Sequence, residues 1–263
     1  MISVTTVLCP NPGPFTGPGT NTYVVSSEGS AVIIDPGPVH EGHQRATLDA
    51  ASGFEIVAVL VTHTHPDHAP GANAMAQHLE VPACGFAPGP HFVPDRLLTD
   101  GDVVAFGDAE IVAVHTPGHT DDHLCFQTGG VLFTGDHIMG GSTVIIENAA
   151  TYLQSLRRIA DRDLETLYPG HGPVLEPDVI DTYIAHRLER EQQIVAAVAR
   201  GAETVDALVA EVYAGVPGEV LAAARRQVEV QLAKLVGDGR LQWLRADDEE
   251  VGKRVQLSHG SQD

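Results

Sequence analysis

The chain has 263 residues, of which 43% are hydrophobic, and its formal net charge is −20 at pH 7. This composition suits a soluble globular protein with one large domain and room for a small second one, and it excludes a transmembrane span because no apolar run reaches about 18 residues. The acidic charge opposes long-range attraction of polyanions, and the three cysteines cannot all pair in a disulfide framework.

Up to about residue 175, short β-rich runs alternate with loops that are rich in glycine and proline. We predict strands at residues 22–25, 31–34, 56–61, 103–106, 111–114, 124–127 and 131–133, and helices at 44–51, 69–79 and 151–159. This mixture predicts an α/β architecture in which helices cover sheets. The proline-rich loops 9–20 and 82–94 either border a site or are plain surface connections.

The sequence HTHPDH at residues 63–68 places three histidines and an aspartate directly after the predicted strand 56–61. Crowded donors at the mouth of a buried strand are costly to desolvate unless a cation holds them together. His63 and His65 are two residues apart and can point toward one ion, which leaves Asp67 and His68 for a second. The segment predicts a two-metal enzyme, and a surface histidine patch is the alternative.

Three further segments follow the same order, an apolar strand, then a turn, then a metal donor. Residues 112–114 lead to His119, residues 131–133 lead to Asp136, and residues 167–170 lead to His171. Donors at strand ends can converge on one edge of a sheet. All three side chains are therefore candidates for the same metal centre.

Together with the sequence IIDPG at residues 33–37, these segments resemble the metallo-β-lactamase superfamily over residues 20–175. The resemblance implies an αββα sandwich with two metal ions, zinc being favoured and iron or manganese being alternatives. It implies that Asp35 orients a metal ligand, unless Asp35 is a simple turn residue. The implied ligands are His63, His65 and His119 for one ion, Asp67, His68 and His171 for the other, and Asp136 as a bridge.

After Pro177 the pattern becomes helical. We predict a connecting helix at 178–200, helices at 203–213 and 218–236, and a strand at 241–244. We therefore divide the chain into a metal-binding domain (1–177), the connecting helix (178–200), a winged-helix-like domain (201–245) and a solvated, partly disordered tail (246–263). Over residues 222–245 five basic residues face two acidic ones, which permits phosphate contact, although such modules also serve packing or dimerisation.

A narrower resemblance, to the β-lactamase-like protein 2 family, runs through residues 19–23, 116–123, 168–173 and 186–194 and into the C-terminal unit. It implies endonucleolytic cleavage of single-stranded RNA, although close relatives are thioesterases acting on carrier-bound acyl chains. Asn21, His186 and Arg187 are candidate substrate contacts, and for each of them ordinary packing is the alternative.

The predicted reaction is metal-dependent hydrolysis, with Asp67 as the catalytic residue that orients or deprotonates the attacking water. The predicted substrate is the phosphodiester of single-stranded RNA. The alternatives are a small acyl substrate, as in a thioesterase, a glyoxalase II-like enzyme or a lactone hydrolase, then an iron-dependent oxidoreductase, and lastly a binding protein without metals. An N-terminus that lacks a basic and an apolar segment predicts a cytoplasmic location and no membrane partner.

Overall fold

The computed structural model describes residues 1–140, 144–244 and 254–258 of the chain. Its first sheet contains β1 (Ser3–Leu8), β2 (Asn21–Ser27), β3 (Ser30–Ile34), β4 (Glu55–Leu60), β5 (Ala83–Gly85) and β6 (Arg96–Leu97), paired in that order. Strands β1 to β3 are antiparallel, whereas β3 to β6 are parallel. Glu28 and Gly29 join β2 to β3 with positive φ angles, the conformation of a tight hairpin turn.

The second sheet faces the first. It contains β7 (Val103–Phe106), β8 (Ala109–His115), β9 (Leu124–Thr128), β10 (Val131–Gly135) and β11 (Thr166–Pro169), in the order β11-β10-β9-β8-β7. Tyr23 from the first sheet packs with Phe106, Phe126 and Phe133 from the second in one buried cluster. Aromatic rings therefore fill the space between the two sheets, where each buries a large apolar area.

Helices cover the outer faces of both sheets. The helices of this domain are α1 (Glu41–Ala50), α2 (Ala72–Leu79) and α3 (Ala149–Ala160), and α4 (Val179–Ala199) leads out of it. Met75 of α2 packs on Val59 of the first sheet, and Tyr152 of α3 packs on Leu132 of the second. The predicted αββα sandwich is confirmed.

Two helices begin before their predicted starts because a side chain caps them. The His40 ring accepts a hydrogen bond from the backbone of His43, and the Asn148 carboxamide accepts from Thr151. Helix α2 instead begins three residues after its predicted start at residue 69, with Gly71 as its N-cap. Residues 66–71 are thus left to the turn that carries part of the histidine motif.

The C-terminal unit has a core of its own. It comprises α5 (Val205–Val212), a 3-10 helix (Gly218–Val220), α6 (Leu221–Gly237), β12 (Leu241–Trp243) and β13 (Val255–Leu257). Ile194 near the end of α4 packs with Leu208, Val228, Leu232 and Leu241 in one buried cluster. This arrangement confirms the predicted winged-helix outline.

The prediction of a solvated tail from residue 246 is wrong for residues 254–258. Strand β13 pairs antiparallel with β12, with Trp243 opposite Val255 and Leu241 opposite Leu257, and Val255 is only 1% exposed. An apolar side chain that can be buried against the helices outweighs the acidic composition of the preceding segment. The remaining tail residues, 246–253 and 259–263, lie outside the described residues.

Strands β1, β5 and β6 were not predicted. Strand β5 falls inside the proline-rich stretch 82–94, and its three residues are buried beside β4. Strands β5 and β6 are defined by their sheet neighbours, because three residues or fewer carry too little periodicity to indicate a strand. Within the described residues, no helix has both the length and the apolar content that a membrane crossing requires.

Candidate metal centre

Four strand ends deliver the seven predicted ligands to one edge of the sandwich. The histidine motif follows β4 of the first sheet, and His119, Asp136 and His171 follow β8, β10 and β11 of the second. The ligands therefore come from both sheets. Gly170 allows the close approach of the segment after β11, because a Cβ at this position would lie 2.6 Å from Oδ1 of Asp136.

The first ligand group consists of His63, His65, His119 and Asp136, whose donor atoms all lie within 4.8 Å of one another. Nε2 of His63 is 3.0 Å from Nδ1 of His65, and Nε2 of His119 is 3.0 Å from the same atom. Three ring nitrogens thus face a common point, as the ligands of one ion do.

The second ligand group consists of Asp67, His68, Asp136 and His171, which meet the same 4.8 Å limit. Nε2 of His171 is 3.1 Å from Oδ2 of Asp67 and 3.4 Å from Oδ1 of Asp136. The other oxygen of Asp136, Oδ2, lies 3.8 Å from Nε2 of His119 in the first group. Asp136 is therefore placed between the two groups.

In two of the histidine rings, a backbone carbonyl oxygen determines which ring nitrogen carries the hydrogen. Nδ1–H of His119 donates to the carbonyl oxygen of Ile145 over 2.6 Å, and Nδ1–H of His171 donates to that of Gly19 over 3.1 Å. In the neutral form that metal binding requires, an imidazole has one N–H, so Nε2 of both rings then presents a bare lone pair to the centre.

A carboxylate and a hydroxyl orient two of the other three rings. Oδ2 of Asp35 accepts Nδ1–H of His68 over 2.8 Å and the Thr62 hydroxyl over 2.7 Å. Because the Thr62 hydrogen is used there, its oxygen accepts Nδ1–H of His63 over 3.0 Å. Asp35 thus contacts a ligand, as the resemblance implied, and holds a positive φ of 50° while doing so.

These contacts test whether a metal fits the centre. With the rings neutral, as metal ligands are, four Nε2 lone pairs and two carboxylates point inward, and pairs of Nε2 atoms approach one another to 3.3 Å. Lone pairs at such a distance repel unless a cation lies among them, and imidazole with carboxylate is a donor set that divalent transition metals prefer. The residues present therefore fit a two-metal centre.

Electrostatic coupling within the centre appears in its pKa values. Burial acts to lower the pKa of His171, but the carboxylates of Asp136 and Asp67 raise it to about 9. Burial acts to raise the pKa of Asp67, but the imidazoles of His68 and His171 lower it to about 2. Burial holds the pKa of His63 well below its usual value. Without metal, protons on the second group take the place of the cation.

Comparison with known proteins agrees with this geometry. Residues 15–171 match the family described as "Metallo-beta-lactamase superfamily", which is more than half of the chain. The chain belongs to the metallo-β-lactamase superfamily. Residues 204–245 match a second family, described as "Beta-lactamase associated winged helix domain". Members of the superfamily are metal-dependent hydrolases, and the chain is an enzyme of this class.

Two relatives show how far the likeness extends. The chain is 34% identical to a "Beta-lactamase-like protein 2 homolog" of Caenorhabditis elegans, and the match covers 90% of this chain and 85% of that protein. It is also 34% identical to an "Atrochrysone carboxyl ACP thioesterase" of Aspergillus chevalieri, covering 90% of this chain and 82% of that protein.

Solved structures share the fold at lower identity. A beta-lactamase domain protein from Burkholderia ambifaria superposes with a TM-score of 0.81 at 22% identity, covering 97% of this chain and 91% of that one. A metallo-beta-lactamase family protein from Thermus thermophilus superposes with a TM-score of 0.78 at 19% identity, covering 97% and 98%. At these identities the likeness supports the superfamily fold alone.

Two cavities are lined by a residue of the metallo-β-lactamase centre or by a residue that contacts one. The first, which we name the His65 cavity, measures about 440 Å³ and is lined by His65 with the acidic residues Asp121, Asp122 and Glu147. The second, which we name the α4 cavity, measures about 310 Å³. The α4 cavity is lined by Phe15, Val144, Ile145, Arg187, Arg190 and Tyr213, among others. Both proline-rich loops of the sequence reach a cavity, residues 9–20 through Phe15 and residues 82–94 through Pro88 and Pro90.

The three predicted substrate contacts have different surroundings. The Asn21 carboxamide donates to the carbonyl oxygens of Pro169 and Gly172, over 3.0 and 2.9 Å, and the residue is 5% exposed. Its prediction as a substrate contact is therefore corrected, since both amide hydrogens anchor the segment that carries His171. His186 and Arg187 lie on α4 and line the α4 cavity.

Sequence reasoning assigned no role to Thr62 or His123. Thr62 stands immediately before the first ligand, which was the one available signal. His123 is fully buried, its Nδ1 bonds the Thr116 hydroxyl over 2.8 Å, and its ring lies 5.1 Å from that of His63. His115 instead stacks on the Phe86 ring at 4.2 Å, away from the centre.

Proposed function

We propose that the chain hydrolyses the thioester of an acyl chain at a two-metal centre formed by its seven converging side chains. The observation that carries this proposal is the α4 cavity. Its wall includes Phe15, Val144 and Ile145, and the carbonyl oxygen of Ile145 is the one that orients His119. Ile145 thus belongs to the cavity and contacts a proposed metal ligand, and the proposed position of the acyl chain is in this cavity.

In this proposal His63, His65 and His119 hold one ion, Asp67, His68 and His171 hold the other, and Asp136 bridges them, as the resemblance implied. Zinc is the proposed metal because imidazole nitrogen suits it, with iron and manganese as alternatives. When bound, the two ions supply Lewis acidity, which polarises the attacked carbonyl and brings the pKa of water toward neutrality.

Asp67 is proposed to orient the attacking water. Its side chain is 25% exposed, so water reaches it, and its contacts with His171 and His68 hold its pKa low at about 2. A carboxylate of this kind orients water as a hydrogen-bond acceptor. The thiol that leaves has a low pKa compared with an alcohol, so departure needs no strong acid.

Similarity to a protein that is named a thioesterase also favours hydrolysis of a thioester. The Aspergillus relative is named a thioesterase of an ACP, and it matches this chain across both the metal domain and the C-terminal unit. The other relative is named without a substrate. We therefore transfer only the reaction class, hydrolysis of an acyl thioester, and not the particular acyl chain.

Cleavage of single-stranded RNA, the substrate predicted from sequence, has less support in the contacts. The basic residues of the winged helix meet acidic partners that lie outside the 222–245 window. Arg225 pairs with Asp206, and Lys234 lies 2.9 Å from Glu191, which Arg240 also approaches at 3.2 Å. These acidic partners thereby offset the excess of positive charge over residues 222–245. The described lining of the His65 cavity is acidic and would repel phosphates.

An iron-dependent oxidoreductase remains the alternative from another class of enzyme, and metal analysis of protein purified without added zinc tests it. Iron at two equivalents together with oxygen consumption would favour the oxidoreductase. Zinc without oxygen consumption would favour hydrolysis. Cytoplasmic location stays a prediction.

A parallel assay tests the proposed substrate class. Zinc-loaded protein is given an octanoyl thioester of N-acetylcysteamine, a single-stranded RNA oligonucleotide and a lactone. We expect thioester hydrolysis that falls about a thousandfold in Asp136→Asn, because this carboxylate lies between both ligand groups. Asp163→Asn, at an exposed site, should leave the rate unchanged. RNA cleavage that requires Asp136, without thioester hydrolysis, would overturn the proposal.

A further inference from the structure

We propose that the α4 cavity binds an amphiphilic anion, whose charged group pairs with Arg187 and Arg190 and whose apolar part lies against Phe15, Val144 and Ile145. This inference rests on the proposed function. It adds that the acyl thioester carries a negative charge away from the scissile bond. The two can fail separately, since the binding is measurable without catalysis.

Arg187 is the first reason. Its side chain is 3% exposed, yet its guanidinium makes no ion pair with any carboxylate that the structure describes. Its Nη2 donates to the carbonyl oxygen of Val144 over 2.5 Å, and its Nε has no hydrogen-bond partner among the described residues. A buried arginine carries five donors and a full charge, so this one has donors and charge left for a ligand.

Arg190 is the second reason. It lies one helical turn after Arg187 on α4, so both reach the same cavity. Its Nη1 donates to Gln193 and to the carbonyl oxygen of Val212, and its guanidinium lies 4.4 Å from the Tyr213 ring centre. None of these described partners is charged. The two arginines therefore face the cavity with uncompensated charge.

The α4 cavity differs from three other described cavities in having no acidic residue in its lining. The chain carries 35 acidic and 15 basic residues, and arginines elsewhere, such as Arg158, Arg200 and Arg225, do have carboxylate partners. In contrast, no aspartate or glutamate belongs to the described lining of the α4 cavity. The two arginines of this cavity thus have no acidic residue beside them in its described lining.

His186 lies in the field of the same two arginines. It lies on α4 and lines the cavity beside both arginines. Burial lowers the pKa of His186, and the charges of Arg187 and Arg190 lower it further, whereas Glu189 acts in the opposite direction. A neutral ring beside two fixed cations leaves the arginines as the groups that an anion would meet.

The position of the cavity connects it to the reaction. Val144 accepts from Arg187, and the next residue, Ile145, accepts from the metal-centre residue His119. Two adjacent carbonyl oxygens thus hold the anion-binding arginine and a proposed metal ligand. A ligand bound at Arg187 would therefore contact the same segment that orients His119, and remote binding energy of this kind can position a reacting group.

Arg187 could instead have a purely structural part, because its guanidinium lies 5.0 Å from the ring centre of Tyr152 and so joins α4 to α3. A structural role predicts lower stability on substitution but no change in the preference between charged and neutral ligands. Selectivity for an anion is therefore the measurement that separates the two roles.

The test uses zinc-loaded protein, octane-1-sulfonate as the anionic probe and octan-1-ol as its neutral match, with binding measured by calorimetry. Sulfonate is chosen because it is a weak metal ligand. We expect the sulfonate to bind at least about tenfold more tightly than the alcohol, in line with charge-assisted hydrogen bonds. Arg187→Met and Arg190→Met should each remove most of this preference and leave alcohol binding unchanged.

Arg200→Met is the matched control, because Arg200 caps the same helix but pairs with Glu211 outside the cavity. It should keep the full preference. If Arg187→Met does not fold, Arg190→Met, at a half-buried position, decides the question alone. Equal binding of sulfonate and alcohol by the wild-type protein, or no saturable binding of the sulfonate, would overturn the proposal.

A kinetic comparison identifies the source of the anion. A thioester whose acyl chain ends in a carboxylate tests a charge on the acyl group, and an octanoyl thioester of phosphopantetheine tests a charge on the leaving thiol. The neutral octanoyl thioester of N-acetylcysteamine is the reference. A rate advantage that Arg187→Met removes, in either arm, supports the proposal. An advantage in neither arm, with the neutral thioester hydrolysed, overturns it, whereas sulfonate binding without any hydrolysis refutes only the proposed function.

Discussion

Asp35 and Thr62 connect the two ligand groups through three hydrogen bonds. Asp35 holds His68 of the second group, Thr62 holds His63 of the first, and the Thr62 hydroxyl donates to Asp35. The backbone N–H of Thr62 donates to the other carboxylate oxygen over 2.7 Å. Both ligand rings are thereby oriented by one carboxylate, and the left-handed backbone of Asp35 is a conformation that aspartate tolerates.

Thr62→Val tests this connection, because valine keeps the shape and removes the hydroxyl. It leaves Nδ1–H of His63 without an acceptor and Oδ2 of Asp35 with one donor fewer. We expect metal affinity to fall about tenfold to a hundredfold, as measured by competition with a chromophoric chelator. Thr62→Ser keeps the hydroxyl and should bind metal nearly as the wild type does. Equal affinity in Thr62→Val and Thr62→Ser would show that the hydroxyl does not orient the ligand.

At the scale of elements, α4 joins the metal domain to the winged helix through a buried carboxylate. Glu191 is 2% exposed and lies 2.9 Å from Nζ of Lys234 on α6 and 3.2 Å from Nη1 of Arg240 before β12. Burial acts to lower the pKa of Lys234, but hydrogen bonds to Asp238 and Glu191 raise it. The basic residues of the predicted phosphate-binding surface thus also serve to hold the module on α4.

Glu191→Gln should therefore destabilise the C-terminal unit. Removing the charge leaves Lys234 and Arg240 with weaker pairing at a buried position, and we expect a loss of about 3 kcal/mol in the free energy of unfolding. Glu211→Gln is the control, since its partner Arg200 is exposed and such pairs contribute less than about 1 kcal/mol. Urea unfolding of both variants measures the difference. Equal losses in the two variants would contradict the structural role of Glu191.

For the whole molecule, the centre is a junction of the two sheets. Residues from β4 of the first sheet and from β8, β10 and β11 of the second contribute to it. In the metal-free protein the charges are balanced by protons, because the pKa of His171 is raised to about 9 and that of His68 lies well above its usual value. At neutral pH a metal must therefore displace these protons.

Metal binding at pH 7 should release about two protons, one each from His68 and His171. Calorimetry in two buffers of different ionisation enthalpy measures the number, which should decrease as the pH rises through about 9, the raised pKa of His171. The raised pKa of His171 also makes the stability of the metal-free fold depend on pH. The proton on His171 stabilises the metal-free fold fully below pH 6.5, and this contribution is lost as the pH rises through about 9. The same binding enthalpy in both buffers at pH 7 would contradict the prediction.

The sequence by itself determined the fold class and the convergence of seven metal donors. Each donor lies in a segment that follows an apolar strand, and such segments can converge where the strands end at the same side of the fold. The histidine motif is contiguous, so its spacing alone indicates a metal centre. The winged helix was also predictable, because its helices are long enough to show their period.

Only the tertiary structure decided the remaining features, because they depend on partners that are distant in sequence. Asn21 could be assigned its anchoring part only once Pro169 and Gly172 lay beside it. Strand β13 forms because β12 and a buried position for Val255 are available. Likewise, the sequence shows Arg187 only as one more helical residue. The fold shows that it is buried against Val144 without a carboxylate partner among the described residues. Whether a charged side chain has a partner of opposite charge depends on its neighbours in the fold. The order of residues alone does not specify those neighbours.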